Sequence, residues 1–110
     1  MILAYAGRRA QSLAGDLDRV AERIRRLLAA LQPSAIVGAA ADGADVLVLE
    51  AALASANAPT IRVVLPTSRE TFAQDSVEPA WRDRFEAVLE EVARRSGTIR
   101  TLDRDPGPAD

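Results

Sequence analysis

Short apolar runs alternate with longer segments of helical periodicity along the chain, and this alternation constrains the fold more than any other feature. The apolar runs predict strands at 2–6, 35–37, 60–65 and 98–102, and the periodic segments predict helices at 17–32, 43–57 and 79–96. Strands that alternate with helices form parallel sheets, because each crossover returns the chain in the same direction. We therefore predict an α/β fold, a three-layer Rossmann-like sandwich with a four-stranded, mostly parallel sheet.

The length and composition predict one globular domain. The chain has 110 residues, of which 48% are hydrophobic and 27% charged. Acids and arginines interrupt the apolar runs well short of a membrane span, and no signal-peptide pattern opens the sequence, so we expect a cytoplasmic protein without a membrane partner. Residues 104–110 are predicted to form a linker-like tail after a domain at 1–103.

Three residue types are absent, and their absence narrows the chemistry. The sequence contains no Cys, no His and no Lys. The usual zinc sites, Cys or Ser–His nucleophiles, Schiff bases and phosphate-loop lysines are thereby excluded. The net charge of −2 argues against a nucleic-acid partner bound through a broad basic face. We predict no cofactor, no metal site and no catalytic residue.

The turn between the second strand and the second helix, Gly38 to Asp45, carries almost no side chains except two carboxylates. Ligands of parallel sheets bind beyond the carboxyl ends of the strands, where segments 7–9, 38–45 and 66–76 are expected to meet. Small residues let backbone approach a ligand closely, and a helix N-terminus offers free N–H groups. The bare turn therefore predicts a bound phosphate near Gly38, Ala39 and Gly43.

The acids of the turn oppose a bare phosphate. A carboxylate about 5 Å from a phosphate charge costs roughly 3 kcal/mol at an effective dielectric near 20, more than the roughly 0.3–1 kcal/mol that a helix terminus supplies. Arg8, Arg9 or Arg69 must then balance the charge, or Asp42 and Asp45 accept hydrogen bonds from ribose hydroxyls. Magnesium held by the acids is a less economical alternative. Asp42 and Asp45 also resemble a capping box, which needs no ligand, and the arginines of the first turn are alternatively solvated.

Other segments suggest packing as well as function. The second helix is apolar nearly all round, so we expect a second covering surface, such as another subunit or a further part of a longer chain. Glu50 in that helix is interpreted as a salt-bridge or interface residue. Residues 66–78 are predicted to form an irregular functional loop, in which Phe72 either fills the core or stacks on a base. Trp81 and Phe85 are predicted core residues.

Several segments resemble one family. The stretch "GAAADGADVLVLEAAL", together with "YAGRR", "RVVLP" and "DSVEPAWRDRF", resembles the SLOG superfamily, the Rossmannoid group that includes DNA-processing protein A and the Lonely guy enzymes. The resemblance covers residues 2–92. It implies a pocket for a nucleotide or nucleotide derivative, with Gly7, Arg8, Gly38, Asp42, Gly43 and Asp45 in it. The Pro-Gly-Gly-x-Gly-Thr-x-x-Glu loop of the Lonely guy enzymes is absent, which argues against phosphoribohydrolase activity.

These observations predict a non-catalytic sensor module that binds a nucleotide-derived small molecule and signals to a fused or partner effector, in a homo-oligomer or a larger chain. One alternative is an N-glycosidase or phosphoribohydrolase that uses Glu50 or an Asp; another is an oligomerisation module built on the second helix. The predicted ligand-binding residues are Gly7, Arg8, Arg9, Gly38, Ala39, Asp42, Gly43, Asp45 and Arg69.

Overall fold

The computed structural model describes residues 1–102, so the predicted tail at 104–110 lies outside the described residues. The strands are β1 (Ile2–Ala4), β2 (Ala35–Gly38), β3 (Thr60–Leu65) and β4 (Thr98–Thr101). The helices are α1 (Leu17–Leu31), α2 (Ala44–Ala54), α3 (Arg69–Ser76) and α4 (Arg82–Arg94). Two 3-10 turns lie at Ala10–Leu13 and Pro79–Trp81.

The strands form one sheet in the order β1-β2-β3-β4, and every pair is parallel. This arrangement confirms the predicted α/β class with a four-stranded parallel sheet flanked by helices. Strand β3 begins at Thr60 and ends at Leu65, as predicted, because prolines bound its apolar run on both sides. Within residues 1–102, no helix is both long and apolar enough to cross a membrane.

Three helices cover one face of the sheet. Helix α2 lies between α1 and α4 and packs on both, while its underside contacts the strands. This position explains why α2 is apolar nearly all round, and why Leu49 is fully buried. The second covering surface of α2 comes from α1 and α4, so its composition requires no other subunit.

The opposite face of the sheet is covered by no helix within residues 1–102 and is largely exposed, although Ala35 on it is buried. Along β3, the side chains of Ile61, Val63 and Leu65 are buried under the helices, whereas Thr60 and Arg62 on the other face are exposed. Residues 1–102 therefore supply a helix layer on one face only.

The predicted irregular loop at 66–78 is wrong, because most of it is helix α3. Ser68 caps this helix: its hydroxyl oxygen accepts a hydrogen bond from the Thr71 N–H at 3.2 Å. Phe72 of α3 is buried and stacks on Phe85, with ring centroids 6.0 Å apart. Phe72 thus fills the core, and the predicted core positions of Phe85 and Trp81 are confirmed.

Candidate functional site at the carboxyl ends of β1 and β2

The turn between β2 and α2 packs directly against the backbone of residues 8–10. Gly43 is the N-cap of α2, with φ 90° and ψ −130°. A Cβ atom on Gly43 would lie 2.5 Å from the nitrogen of Ala10 and 2.5 Å from the carbonyl oxygen of Arg8. The same carbonyl accepts a hydrogen bond from the Ala44 N–H at 3.0 Å. The close approach that Gly43 permits is therefore used by residues 8–10, which follow β1.

Asp42 joins the segments that meet at this edge of the sheet. Its side chain is fully buried and accepts hydrogen bonds from Arg9 Nε at 2.7 Å, Arg9 Nη2 at 3.0 Å, Ala10 N–H at 2.9 Å and Glu78 N–H at 2.7 Å. Its own N–H donates to the Ser76 carbonyl at 3.1 Å. The predicted meeting of the segments after β1, β2 and β3 is confirmed by these bonds.

The surroundings of Asp42 determine its charge. Burial opposes the charged form, but the hydrogen bonds from Arg9, Ala10 and Glu78 outweigh burial and lower the pKa of Asp42 below its ordinary value. The capping-box interpretation is wrong for Asp42, because the N-cap of α2 is Gly43 and no side chain caps the helix. Asp42 instead connects two loops to the turn.

Arg9 is the charge partner of Asp42. The hydrogen bond to Asp42 raises the pKa of the Arg9 guanidinium, and the side chain of Arg9 remains 45% exposed. Two parallel N–H···O bonds in one ion pair fix the guanidinium in a single orientation. Asp42 and Arg9 together form a nearly neutral pair, so neither contributes a free charge to the turn.

Asp45, in the first turn of α2, has different surroundings. It is 8% exposed, its Oδ2 accepts a hydrogen bond from the Ala41 N–H at 3.3 Å, and its Oδ1 is buried without a hydrogen-bond partner. Burial raises the pKa of Asp45. The nearby N–H groups of Ala41 and Gly7 favour the charged carboxylate and so limit this rise. The Gly7 N–H nevertheless makes no hydrogen bond to Oδ1. Oδ1 is the one buried side-chain polar atom without a partner in residues 1–102.

Tyr5 contacts two of the predicted ligand-binding residues, Gly38 and Ala39. Its hydroxyl donates a hydrogen bond to the Ala39 carbonyl at 2.5 Å, and a Cβ atom on Gly38 would lie 2.6 Å from the Tyr5 ring. Burial and the nearby charge of Asp45 raise the pKa of the Tyr5 hydroxyl. The sequence reasoning missed Tyr5, although a tyrosine that follows β1 beside a glycine-rich turn is a usable signal.

The other predicted ligand-binding residues, Gly7, Arg8 and Arg69, have different surroundings. Gly7 lies against Ala44, because a Cβ atom on Gly7 would overlap the Ala44 Cβ. Arg8 is exposed, and its guanidinium forms no ion pair with a carboxylate of residues 1–102. Arg69 lies at the start of α3, where it pairs with Glu86 of α4 at 2.6 Å.

Glu50 does not lie near the turn. Two hydrogen bonds from Arg84 of α4, at 2.9 and 2.5 Å, hold its carboxylate and raise the pKa of Arg84. The predicted salt-bridge role of Glu50 is confirmed.

The described residues form a cavity at the edge of the sheet opposite Asp42 and Asp45. This cavity of about 250 Å³ lies at the amino ends of β3 and β4, next to Thr60 and Gly97. Its lining contains no buried polar side-chain atom without a partner, since within residues 1–102 that atom belongs to Asp45. No group of three or more acidic side chains in the described part of the chain could hold a metal ion.

No protein-family model matches the chain, and no curated protein is similar to it.

Proposed function

We propose that this chain is a non-catalytic module that binds a nucleotide-derived small molecule beside Asp45, at the carboxyl ends of β1 and β2. The buried, partnerless Oδ1 of Asp45 carries the proposal. A buried acceptor without a donor costs about 1–3 kcal/mol, and more when it is charged. Because Oδ1 is buried, a ligand hydroxyl reaches it only when the turn opens locally; the hydrogen bond then removes this cost, and ribose supplies adjacent hydroxyl donors.

The charge distribution supports a phosphate on the same ligand. Because Arg9 neutralises Asp42, the turn presents one uncompensated carboxylate and not two. Arg8, adjacent in sequence and without an ion pair in residues 1–102, is the cation available to a phosphate. A nucleoside joined to a phosphate satisfies both Asp45 and Arg8, whereas a free phosphate leaves Asp45 without a donor.

The resemblance to the SLOG superfamily supports the same ligand class. On this proposal, four of the predicted residues contact other parts of the chain and not the ligand: Gly7, Gly38, Ala39 and Gly43. The ion pair of Asp42 and Arg9 stabilises the turn. Direct ligand contact belongs to Asp45 and Arg8, and contact with Arg69 requires that its pair with Glu86 opens. Signalling to a fused or partner effector and a cytoplasmic location complete the proposal.

Calorimetric titration tests the proposal with a panel of AMP, ADP-ribose and cyclic dinucleotides. We expect at least one compound to bind the wild-type chain, and Arg8→Ala to weaken it about tenfold or more, because a charge-assisted hydrogen bond is lost. The matched control is Arg23→Ala, which removes an exposed arginine of α1. A folded wild-type chain that binds no compound contradicts the proposal, as does an equal effect of the two substitutions.

A further inference from the structure

The sheet face opposite the helices, here called the outer face, has a definite composition. Parallel register places residues of neighbouring strands side by side, and side chains alternate between faces along each strand. The outer face carries Ile2, Ala4, Ala35, Val37, Thr60, Arg62, Val64, Thr98, Arg100 and, after β4, Leu102.

The outer face is divided into an apolar half and a basic half. On β1 and β2 its side chains are all apolar, whereas β3 and β4 add Arg62 and Arg100 next to the apolar Val64 and Leu102. These two arginines belong to adjacent strands, because Arg62 pairs with Thr98 and Val64 with Arg100. The division follows the strands, so the border between the halves runs along the gap between β2 and β3.

The outer face is exposed where similar sheets are covered. Parallel sheets of α/β proteins are covered by helices on both faces, since their strands are apolar on both sides. On β1, Ile2 is 60% exposed and Ala4 is exposed, whereas on β2 Val37 is half-buried and Ala35 is buried. The apolar surface of β1, together with Val37 of β2, is therefore free to contact a further element.

The two arginines of the outer face indicate that the element that covers this face is acidic. Arg62 and Arg100 are exposed, and neither forms an ion pair with a carboxylate of residues 1–102. In contrast, most arginines on the helices pair with acids, as Arg69 does with Glu86 and Arg84 with Glu50; within residues 1–102, Arg23 and Arg82 are the helix arginines without such a pair. We propose that the outer face binds an amphipathic helix of a partner, with an apolar stripe over β1 and β2 and acidic residues along the side that faces β3 and β4.

The dimensions of the sheet fit one such helix. A helix with its side chains is about 10 Å wide, and neighbouring strands are about 4.8 Å apart, so one helix covers about two strands. A helix seated on β1 and β2 leaves the β3–β4 side beside it, where acidic side chains of the helix reach Arg62 and Arg100. This geometry requires acids on one side of the apolar stripe only.

A second copy of the chain is the less suitable occupant. Two outer faces packed against each other would bring Arg62 and Arg100 of both copies into one interface, and the described outer face contains no acid to balance them. The proposal does not depend on the nucleotide site, since it uses a different surface of the molecule.

Fluorescence anisotropy tests the proposal with the full chain and two labelled peptides of about 18 residues, long enough for a helix of roughly 27 Å. The peptides share one apolar stripe and differ only along one side, which carries glutamates in one peptide and lysines in the other. We expect the wild-type chain to bind the glutamate peptide about tenfold or more tightly than the lysine peptide. Arg62→Glu with Arg100→Glu is expected to reverse this order.

The control variant carries Arg19→Glu with Arg23→Glu, which changes the net charge equally but on α1, and it is expected to keep the wild-type order. Circular dichroism and thermal unfolding verify that each variant is folded. The proposal is overturned if the glutamate peptide shows no saturable binding up to about 1 mM, or if the preference survives the outer-face substitutions. It is also overturned if sedimentation shows a wild-type dimer that these substitutions dissociate, because the occupant is then a second copy.

Discussion

Asp42 and Asp45 lie in one turn, yet their carboxylates have opposite surroundings. Asp42 accepts hydrogen bonds from a guanidinium and two backbone amides, whereas Asp45 is buried with one oxygen unpartnered. The pKa of Asp42 is accordingly lowered and that of Asp45 raised. At neutral pH the charge of Asp42 stabilises the folded chain, while the charge of Asp45 opposes folding.

Substitution of each acid by asparagine should therefore change stability differently. Asp42→Asn is expected to lower the free energy of unfolding at pH 7 by about 2–3 kcal/mol, because charge-assisted hydrogen bonds are lost and the amide group faces donors. Asp45→Asn is expected to lower it by no more than about 0.5 kcal/mol or to raise it, because a buried charge is removed. Urea unfolding followed by circular dichroism measures both values.

The pH dependence gives the control for this pair of variants. The stabilisation by Asp42 is present above the unfolded pKa of about 3.9 and is lost as pH falls through the lower folded pKa. The difference between wild type and Asp42→Asn should then shrink in acid. A loss in Asp45→Asn as large as that in Asp42→Asn would show that Asp45 also holds the fold.

At the scale of elements, the N-terminus of α2 and the segment after β1 form one packed unit. Residues 8–10 contact Gly43 through backbone atoms. The Asp42 carboxylate accepts a hydrogen bond from the Ala10 N–H of the same segment. The glycine has two separate requirements, a positive φ and space for a neighbouring backbone. Both requirements must be met for α2 to begin where it does.

A pair of glycine substitutions separates these requirements. Gly15 has φ 88° and no neighbouring atom within 4 Å of an added Cβ, whereas Gly43 has φ 90° and backbone atoms at 2.5 Å. We expect Gly15→Ala to cost about 1 kcal/mol for the positive φ, and Gly43→Ala to cost at least about 2 kcal/mol more, because its ψ of −130° disfavours a side chain and the neighbouring backbone leaves no space for one. Thermal unfolding of the two variants measures the difference, and equal losses would contradict the close packing of residues 8–10.

The elements also show what the sequence predicts well. Strand β3 has a long apolar run with a proline at each end, and both of its boundaries were predicted. Helix α3 was missed because its residues, "RETFAQDS", have little amphipathic periodicity, although Ser68 before it and Glu70 in its first turn are helix-start signals. Its stability comes from the cap and from Phe72 against Phe85, and the second contact is not visible in local sequence.

For the site, the sequence indicated the important residues but not their roles. The sequence predicts Gly43, Asp42 and Arg9 as ligand contacts, because their residue types fit a phosphate or a ribose. Their observed partners follow β1 and α3, which are distant in sequence, and no periodic pattern encodes such contacts. The distinction between Asp42 and Asp45 therefore required the three-dimensional arrangement.

At the scale of the whole molecule, the structure presents two different surfaces for interaction. The carboxyl edge at β1 and β2 carries Asp45 and Arg8, which the proposed nucleotide would contact. The outer face of the sheet carries the apolar and basic halves that the proposed partner helix would cover. Both surfaces include β1 and β2, so a ligand at the strand ends and a helix on the outer face would contact the same two strands.

The pKa of the Asp45 carboxyl group, followed by carbon-13 NMR, tests the central claim most directly, namely that Asp45 keeps a buried oxygen for a ligand donor. In the free protein we predict a pKa above the ordinary aspartate value of about 3.9. Saturation with the nucleotide that binds in calorimetry should lower this pKa, because donated hydrogen bonds favour the charged form. An ordinary pKa in the free protein, or a raised pKa that the bound nucleotide leaves unchanged, would contradict the claim.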